Sequence, residues 1–302
     1  MQTYLTTGAE YCIKCIITNA QVHPKIAEQR GGERSAMPKL FATGSLLRKI
    51  YDRIAADKER GRSEHMYLFF VRHGDPCYET DSLTDLGRRQ AQLTAERLVI
   101  DGITEIHAST MGRAKETASY LAEKLSLPVI EEPWATELGP ETRTTFPDGI
   151  EKGIGLIPSP YFTQEKYRRM TNEEALSQIP GLCEKGFPAK YQVICEGLDR
   201  MMERLGYRRT EDDCYLPVSP NKEKVALFCH GAMIRSVIGH LLNIPYQYLG
   251  TSFHENHCGV TIFKFDSDTG GKFVPKLISF GDLGHLYRDG GPQHFYLDGD
   301  VF

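Results

Sequence analysis

Two apolar runs, Tyr67-Leu68-Phe69-Phe70-Val71 and Val225-Ala226-Leu227-Phe228-Cys229, lead into the pairs His73-Gly74 and His230-Gly231. Continuous apolar runs of this length, closed by glycine, fit strands buried on both faces of a sheet. Such a sheet must be covered by helices, and the intervening sequence supplies them. Thr84 to Leu98 has helical spacing, with Thr84 as N-cap and Leu83 placed to pack back as a staple. Ile103 to Ala108 reads as a strand. Arg113 to Leu125 reads as a helix with Ala114, Ala118, Leu121 and Leu125 on one face. A short strand follows at Val129-Ile130. Ala232 to Leu242 is the helix behind the second His-Gly pair. Cys258 to Phe265 and Lys276 to Phe280 are the last strands, joined by the turn signal Asp266 to Gly271. This alternation predicts a three-layer α/β/α sandwich with a mostly parallel central sheet.

Residues 1–65 differ from the rest. Cys12 to Ile17 has the look of a short strand, and Ala20 to Ser35 is polar and broken by Pro24, Gly31 and Gly32. Ser45 to Ala56 has amphipathic spacing, and Asp57 to His65 reads as a solvated linker. Met66 stands directly before the first core strand, where a chain of this kind would naturally start. The segment is therefore expected to be an appended extension or the product of a start assigned too early. Residues 139–190 interrupt the alternation with proline, glycine and charge, and Glu165 to Gln178 reads as short helices. This stretch is expected to be a cap-like insertion that shapes the pocket.

The chemistry follows from where the alternation puts its charged residues. Arg72-His73 ends one strand and His230 ends another. Arg113 opens a helix after Ser109-Thr110. Two histidines and two arginines at strand ends make a compact cationic pocket suited to a phosphoryl group. Guanidinium forks match phosphate oxygens in bidentate pairs, and a helix N-terminus adds a weak field of the same sign. His73 is the expected nucleophile, Arg72 and Arg113 the clamp, and His230 a second stabilising partner for the transferring group. Glu137 is the expected proton donor to the leaving oxygen and later the base that activates water. Asp75 is placed to fix a histidine or meet a substrate hydroxyl. Arg143 and His254 are further candidate substrate contacts.

These residues resemble the histidine phosphatase superfamily, also called phosphoglycerate-mutase-like, from about Met66 to the C-terminus. Arg72-His73-Gly74 is similar to its signature, Arg113 within Ser109-Thr110-Met111-Gly112-Arg113-Ala114 to its second arginine, and His230-Gly231 to its second histidine. Glu137 matches its usual proton donor. Leu83-Thr84, Gly87 and Gln90-Ala91 resemble its first helix. Asn256, Cys258, Val260-Thr261 and Gly281-Asp282 with His285-Leu286 resemble closing segments of its small phosphatase members. The resemblance implies a phosphohistidine on His73, no metal or other cofactor, and one α/β domain over residues 66–302 with its pocket at the carboxyl ends of the strands. It points to a histidine acid-type phosphatase acting on a small phosphorylated metabolite. The alternatives are a phosphoglycerate-type mutase and a non-catalytic phospho-ligand binding protein. Asp75-Pro76-Cys77 after the signature, and Leu138 after Glu137, depart from the mutase pattern. Arg168-Arg169 echoes a paired arginine of the mutase insertion.

The remaining features narrow the field. A net charge of −4 over 302 residues gives no global basic field for nucleic acid. No apolar run is long enough to span a membrane. Met1 to Ala9 lacks the basic start and apolar core of a secretory signal. Eight cysteines are too few for a disulfide scaffold in a chain this long, so free thiols and a cytoplasmic location are expected. Cys12 and Cys15 have metal-like spacing with only His23 nearby, and read as an incidental pair. His254-x-x-His257 leads into a strand and reads as a loop near the rim of the pocket. His107 and His240 read as structural. No feature selects an oligomeric state.

Overall fold

The computed structural model describes residues 65–137, 143–145, 149, 151–153, 157, 159–183, 186–266 and 271–289. The expectations for residues 1–64, the Cys12/Cys15 pair among them, lie outside the described residues. The chain order is β1 (Met66–Arg72), β2 (Pro76–Cys77), β3 (Ser82–Leu83), α1 (Asp85–Asp101), β4 (Glu105–Ser109), α2 (Gly112–Leu125), β5 (Val129–Glu132), β6 (Arg143–Thr145) and β7 (Glu151–Gly153). It continues with α3 (Ser159–Phe162), α4 (Glu165–Arg168), α5 (Asn172–Gln178), α6 (Phe187–Arg204), β8 (Tyr207–Arg209), β9 (Tyr215–Pro217) and β10 (Lys224–Cys229). The last elements are α7 (Gly231–Leu242), α8 (Tyr246–Ser252), β11 (Val260–Phe265) and β12 (Lys276–Asp282).

Among the described residues six strands form the central sheet, in the order β12-β11-β1-β10-β4-β5. β1, β10, β4 and β5 are parallel neighbours, as helical crossovers require. β11 runs antiparallel to both β1 and β12, because a short turn joins β11 to β12. Side chains alternate across β1. Phe69 and Val71 pack with Leu98, Ile106, Leu121 and Phe228 under α1 and α2. Leu68 and Phe70 pack with Leu198, Met201, Leu227 and Val237 under α6 and α7. Both faces are covered, giving the expected three layers.

Element ends differ from expectation where local chemistry decides them. α1 runs on to Asp101 and stops at Gly102, whose φ of 78° and N–H bonds to Leu98 and Val99 make a left-handed cap. α6 starts at Phe187 because Gly186 (φ 77°) turns the chain and proline occupies the first turn. β11 begins at Val260 because Cys258 has φ 56° and breaks the extended backbone.

Part of the insertion is described. Ile157, Ala175, Ile179 and Leu182 form a small core with Phe187, Tyr191, Cys195 and Tyr246. Gln247 Nε2 donates to Met170 O at 2.7 Å, Tyr248 Oη to Arg168 O at 2.6 Å, and Tyr246 N to Asn172 Oδ1 at 2.9 Å. α5 carries a capping box between Thr171 and Glu174. The short helices are thus docked on α6 and α8.

Candidate phosphoryl-transfer site

β1 and β10 are in register so that Arg72 lies beside Cys229. The next residues, His73 and His230, therefore leave the sheet side by side. His73 N–H donates to Cys229 O at 3.0 Å, which ties the two strand ends together. The ring centroids of His73 and His230 are 5.2 Å apart. Arg113, in the first turn of α2, reaches both: Nε to His73 Nε2 at 3.2 Å and Nη2 to His230 Nδ1 at 3.3 Å. Arg72, His73, Arg113 and His230 are all buried. The four residues named from sequence converge.

Donor and acceptor roles fix the protons. Arginine only donates, so His73 Nε2 and His230 Nδ1 accept. His73 Nδ1–H then donates to Gly74 O at 2.7 Å, and His230 Nε2–H to Ser109 Oγ at 2.9 Å. The electrostatics agree. Burial, with Arg72 and Arg113 adding to it, pushes the His73 imidazole well below its usual pKa. Burial, His73 and the two arginines do the same to His230. His73 is thus a neutral imidazole with its lone pair on Nε2, facing a guanidinium. Burial also lowers the Arg72 pKa, against the pull of Tyr78, Glu137 and Glu255. Arg72 Nε is buried with no hydrogen-bond partner among the described residues. A buried donor without an acceptor fits an anion-binding pocket.

Tight backbone contacts shape the pocket. A Cβ on Gly74 would lie 2.6 Å from Gly87 O, so the chain leaving His73 passes directly against the start of α1. Asp81 bridges Gly112 N at 2.6 Å and Arg113 Nη1 at 2.5 Å, which aims the guanidinium. Glu137 Oε2 accepts from Ala232 N at 3.4 Å, placing the carboxylate at the N-terminus of α7, next to His230. Lys190 Nζ, on α6, donates to Thr136 Oγ1 at 2.6 Å.

The other named candidates fall differently. Asp75 Oδ2 accepts from Thr84 Oγ1 at 2.6 Å, while its Oδ1 lies 3.5 Å from His257 Nδ1. It meets a histidine, but His257 rather than His73. His254 lies in the loop before β11, where partial desolvation of its ring together with Arg72 and Arg235 lowers its pKa to about 4. Arg143 lies in β6, and its side chain is outside the described residues. Sequence reading assigned no role to Ser109, Asp81, Arg235 or Glu255, and placed His257 only in a loop near the rim of the pocket. Glu255 is buried, its backbone O accepts from Arg72 Nη1, and its Oε2 accepts from Arg235 at 3.1 Å. Only Ser109 had a local signal, as part of the motif around Arg113. Among the described residues no group of three or more His, Cys, Asp or Glu is arranged to hold a metal ion, and no helix is long and apolar enough to cross a membrane.

Residues 68–146 match the histidine phosphatase superfamily, branch 1. The chain is 31% identical over 191 residues to the probable phosphoglycerate mutase GpmB of Yersinia enterocolitica, covering 60% of this chain and 76% of that protein. This chain belongs to the histidine phosphatase superfamily. The GpmB protein of Yersinia pestis is 35% identical over 82 residues, 24% of this chain and 38% of that protein. A phosphoserine phosphatase mutant from Entamoeba histolytica, solved with phosphoserine, aligns with 20% identity and a TM-score of 0.49 over 73% of this chain and 99% of its own. The family match spans most of β1, β4, β5 and the helices between them, with the His73-Gly74 turn and Arg113, while β10 and the His230-Gly231 turn lie beyond it.

Proposed function

We propose that the protein is a phosphoryl-transfer enzyme that works without a metal ion, through a phosphohistidine on His73, on a small phosphorylated metabolite. The observation that carries this reading is the contact of one guanidinium, Arg113, with both buried neutral imidazoles. The His73 Nε2 lone pair attacks phosphorus. The N–P bond forms, the P–O bond to the leaving group breaks, and the leaving oxygen takes a proton from the Glu137 carboxyl. Arg72, Arg113 and His230 hold the phosphoryl oxygens as charge redistributes. An acceptor hydroxyl then gives its proton to Glu137 and attacks phosphorus, and the N–P electron pair returns to Nε2.

The acceptor decides the reaction class. With water the enzyme is a phosphomonoester hydrolase, the reading that Asp75-Pro76-Cys77 and Leu138 favour. With a second hydroxyl of the same substrate it is a mutase. The curated relatives carry the mutase name, and that supports the mutase more directly than anything supports hydrolysis. Lys190, bonded to Thr136 next to Glu137 and felt electrostatically by His230, is the cation we assign to a second anionic group. We read residues 139–190 as the cap over this pocket and residues 66–302 as the catalytic domain.

Turnover of a phosphomonoester panel and of 2- and 3-phosphoglycerate, in EDTA, separates these readings. Isomerisation exceeding phosphate release assigns a mutase. Phosphate release alone assigns a hydrolase. Turnover that survives His73→Ala would refute the phosphohistidine itself.

A further inference from the structure

The site holds a third imidazole. His257 lies against His73 with ring centroids 5.3 Å apart and planes 33° apart, flatter than the 60° of the His73–His230 pair. Its placement is built by the backbone. Cys258 N donates to both Arg72 O (3.0 Å) and His73 O (3.2 Å), and Arg72 N donates to Gly259 O at 3.2 Å. This turn therefore grips the nucleophile's own backbone. Cys258 takes a φ of 56°, a left-handed conformation costly for a residue with a Cβ. Its side chain is buried with Leu93, Leu283 and Leu286, which holds the turn in place. Strain of this kind persists where surrounding packing enforces it, often at functional sites. On its far side His257 meets Asp75, itself anchored by Thr84 and by Gln90, whose Oε1 accepts from Asp75 N at 2.8 Å.

We propose that His257 is a positioning residue that braces the phosphohistidine, packed on His73 and oriented by Asp75. The inference rests on the phosphohistidine reading given above. In the free enzyme the charged and titratable groups facing His257 are Arg72, His73 and Asp75 from the end of β1, Arg113 from α2, and His254 from its own loop. Burial and the two arginines hold the ring neutral. When His73 takes up the phosphoryl group, about two negative charges arrive one ring away. His257 then takes up one proton from the buffered solvent and becomes an imidazolium beside the phosphoryl group, with Nδ1 still facing Asp75. No bond to His257 forms or breaks other than N–H.

The test is rapid-quench trapping of acid-labile, base-stable phosphoenzyme from radiolabelled p-nitrophenyl phosphate across pH 5 to 9. It compares wild type, His257→Phe, which keeps a stacked ring, and His257→Gln, which keeps an N–H but cannot titrate. In both variants the trapped fraction is expected to fall about 5- to 20-fold, and its lifetime to lose the pH dependence seen in wild type. Circular dichroism and thermal melts establish folding, and if one variant fails to fold the other decides. Folded variants with wild-type occupancy and wild-type pH dependence would overturn this inference alone. A wild type that never becomes labelled would overturn both this inference and the phosphohistidine reading.

Discussion

Two buried histidine clusters sit on the same sheet and use the same side chain in opposite ways. At the ends of β1 and β10, His73 and His230 face arginines and are held neutral. On β4, His107 lies between carboxylates: Nδ1 is 3.0 Å from Glu132 Oε1 and Nε2 is 2.5 Å from Glu105 Oε1. Glu132 is further bonded to Trp134 Nε1 and Arg204. In spite of burial, its hydrogen bonds from His107 and Trp134 and the Arg204 charge hold its carboxyl below the usual range. In the second cluster each named bond joins one protein group to another. The first sets two arginines against neutral rings and leaves Arg72 Nε without an acceptor among the described residues. A buried donor left open beside neutral rings is the mark of a site that expects a ligand. A closed network is the mark of a site that holds the fold.

The largest test of that contrast is His73→Ala, expected to lower phosphoryl turnover by about 10⁴-fold or more, since it removes the atom that forms the N–P bond. His107→Leu should leave turnover within about twofold. Glu137→Gln comes next, with a loss of roughly 10²–10⁴-fold that is restored most with substrates whose leaving group needs no proton. Comparing p-nitrophenyl phosphate with an alkyl phosphate reads this directly. Arg113→Ala should cost about 10²–10³-fold in kcat/KM, and Arg113→Lys should recover little because the fork to both rings is lost.

The smaller effects are on stability. His107→Leu leaves the buried Glu132 short of a partner and should cost about 1–3 kcal/mol in urea unfolding. The pH signs of the two clusters differ in window. For His73 the folded pKa lies below the unfolded value of 6.5, so below pH 6.5 the unfolded chain binds more protons and stability falls as pH falls. His73→Ala should make that limb shallower. For Glu132 the folded pKa lies below 4.5, so its stabilisation is complete above pH 4.5 and is lost as pH falls through the folded value. Glu132→Gln should flatten only this more acidic limb in pH-dependent melts.

The parts of this molecule that sequence made legible are those whose signal is local. β1 starting at Met66, the Thr84 cap, and the arginine opening α2 all follow from neighbours in the chain, and the four residues around the phosphoryl pocket were readable because each ends or begins an element. His257 was seen only as part of a rim loop. Its importance comes from the antiparallel pairing of β11 with β1, which brings the turn at Cys258 under His73, and no local pattern encodes that register. Glu255 and Arg235 were missed for a related reason. They meet each other and Arg72 only once α7 and the loop before β11 have folded against the end of β1. The left-handed Cys258 is also invisible beforehand, since glycine or asparagine is the usual signal for that conformation.

The register that sets Arg72 beside Cys229 joins segments more than 150 residues apart in the chain. Contacts of such separation are slow to close, because the loop entropy must be overcome before the pairing rewards it. Helices α1 and α2 are local and can form early, but His73 and His230 have no reason to be neighbours until β10 has slotted between β1 and β4. In a refolding experiment, recovery of phosphoryl transfer should therefore lag helical circular dichroism and keep time with the closing of the sheet. The active site then serves as a clock for the last long-range step of folding.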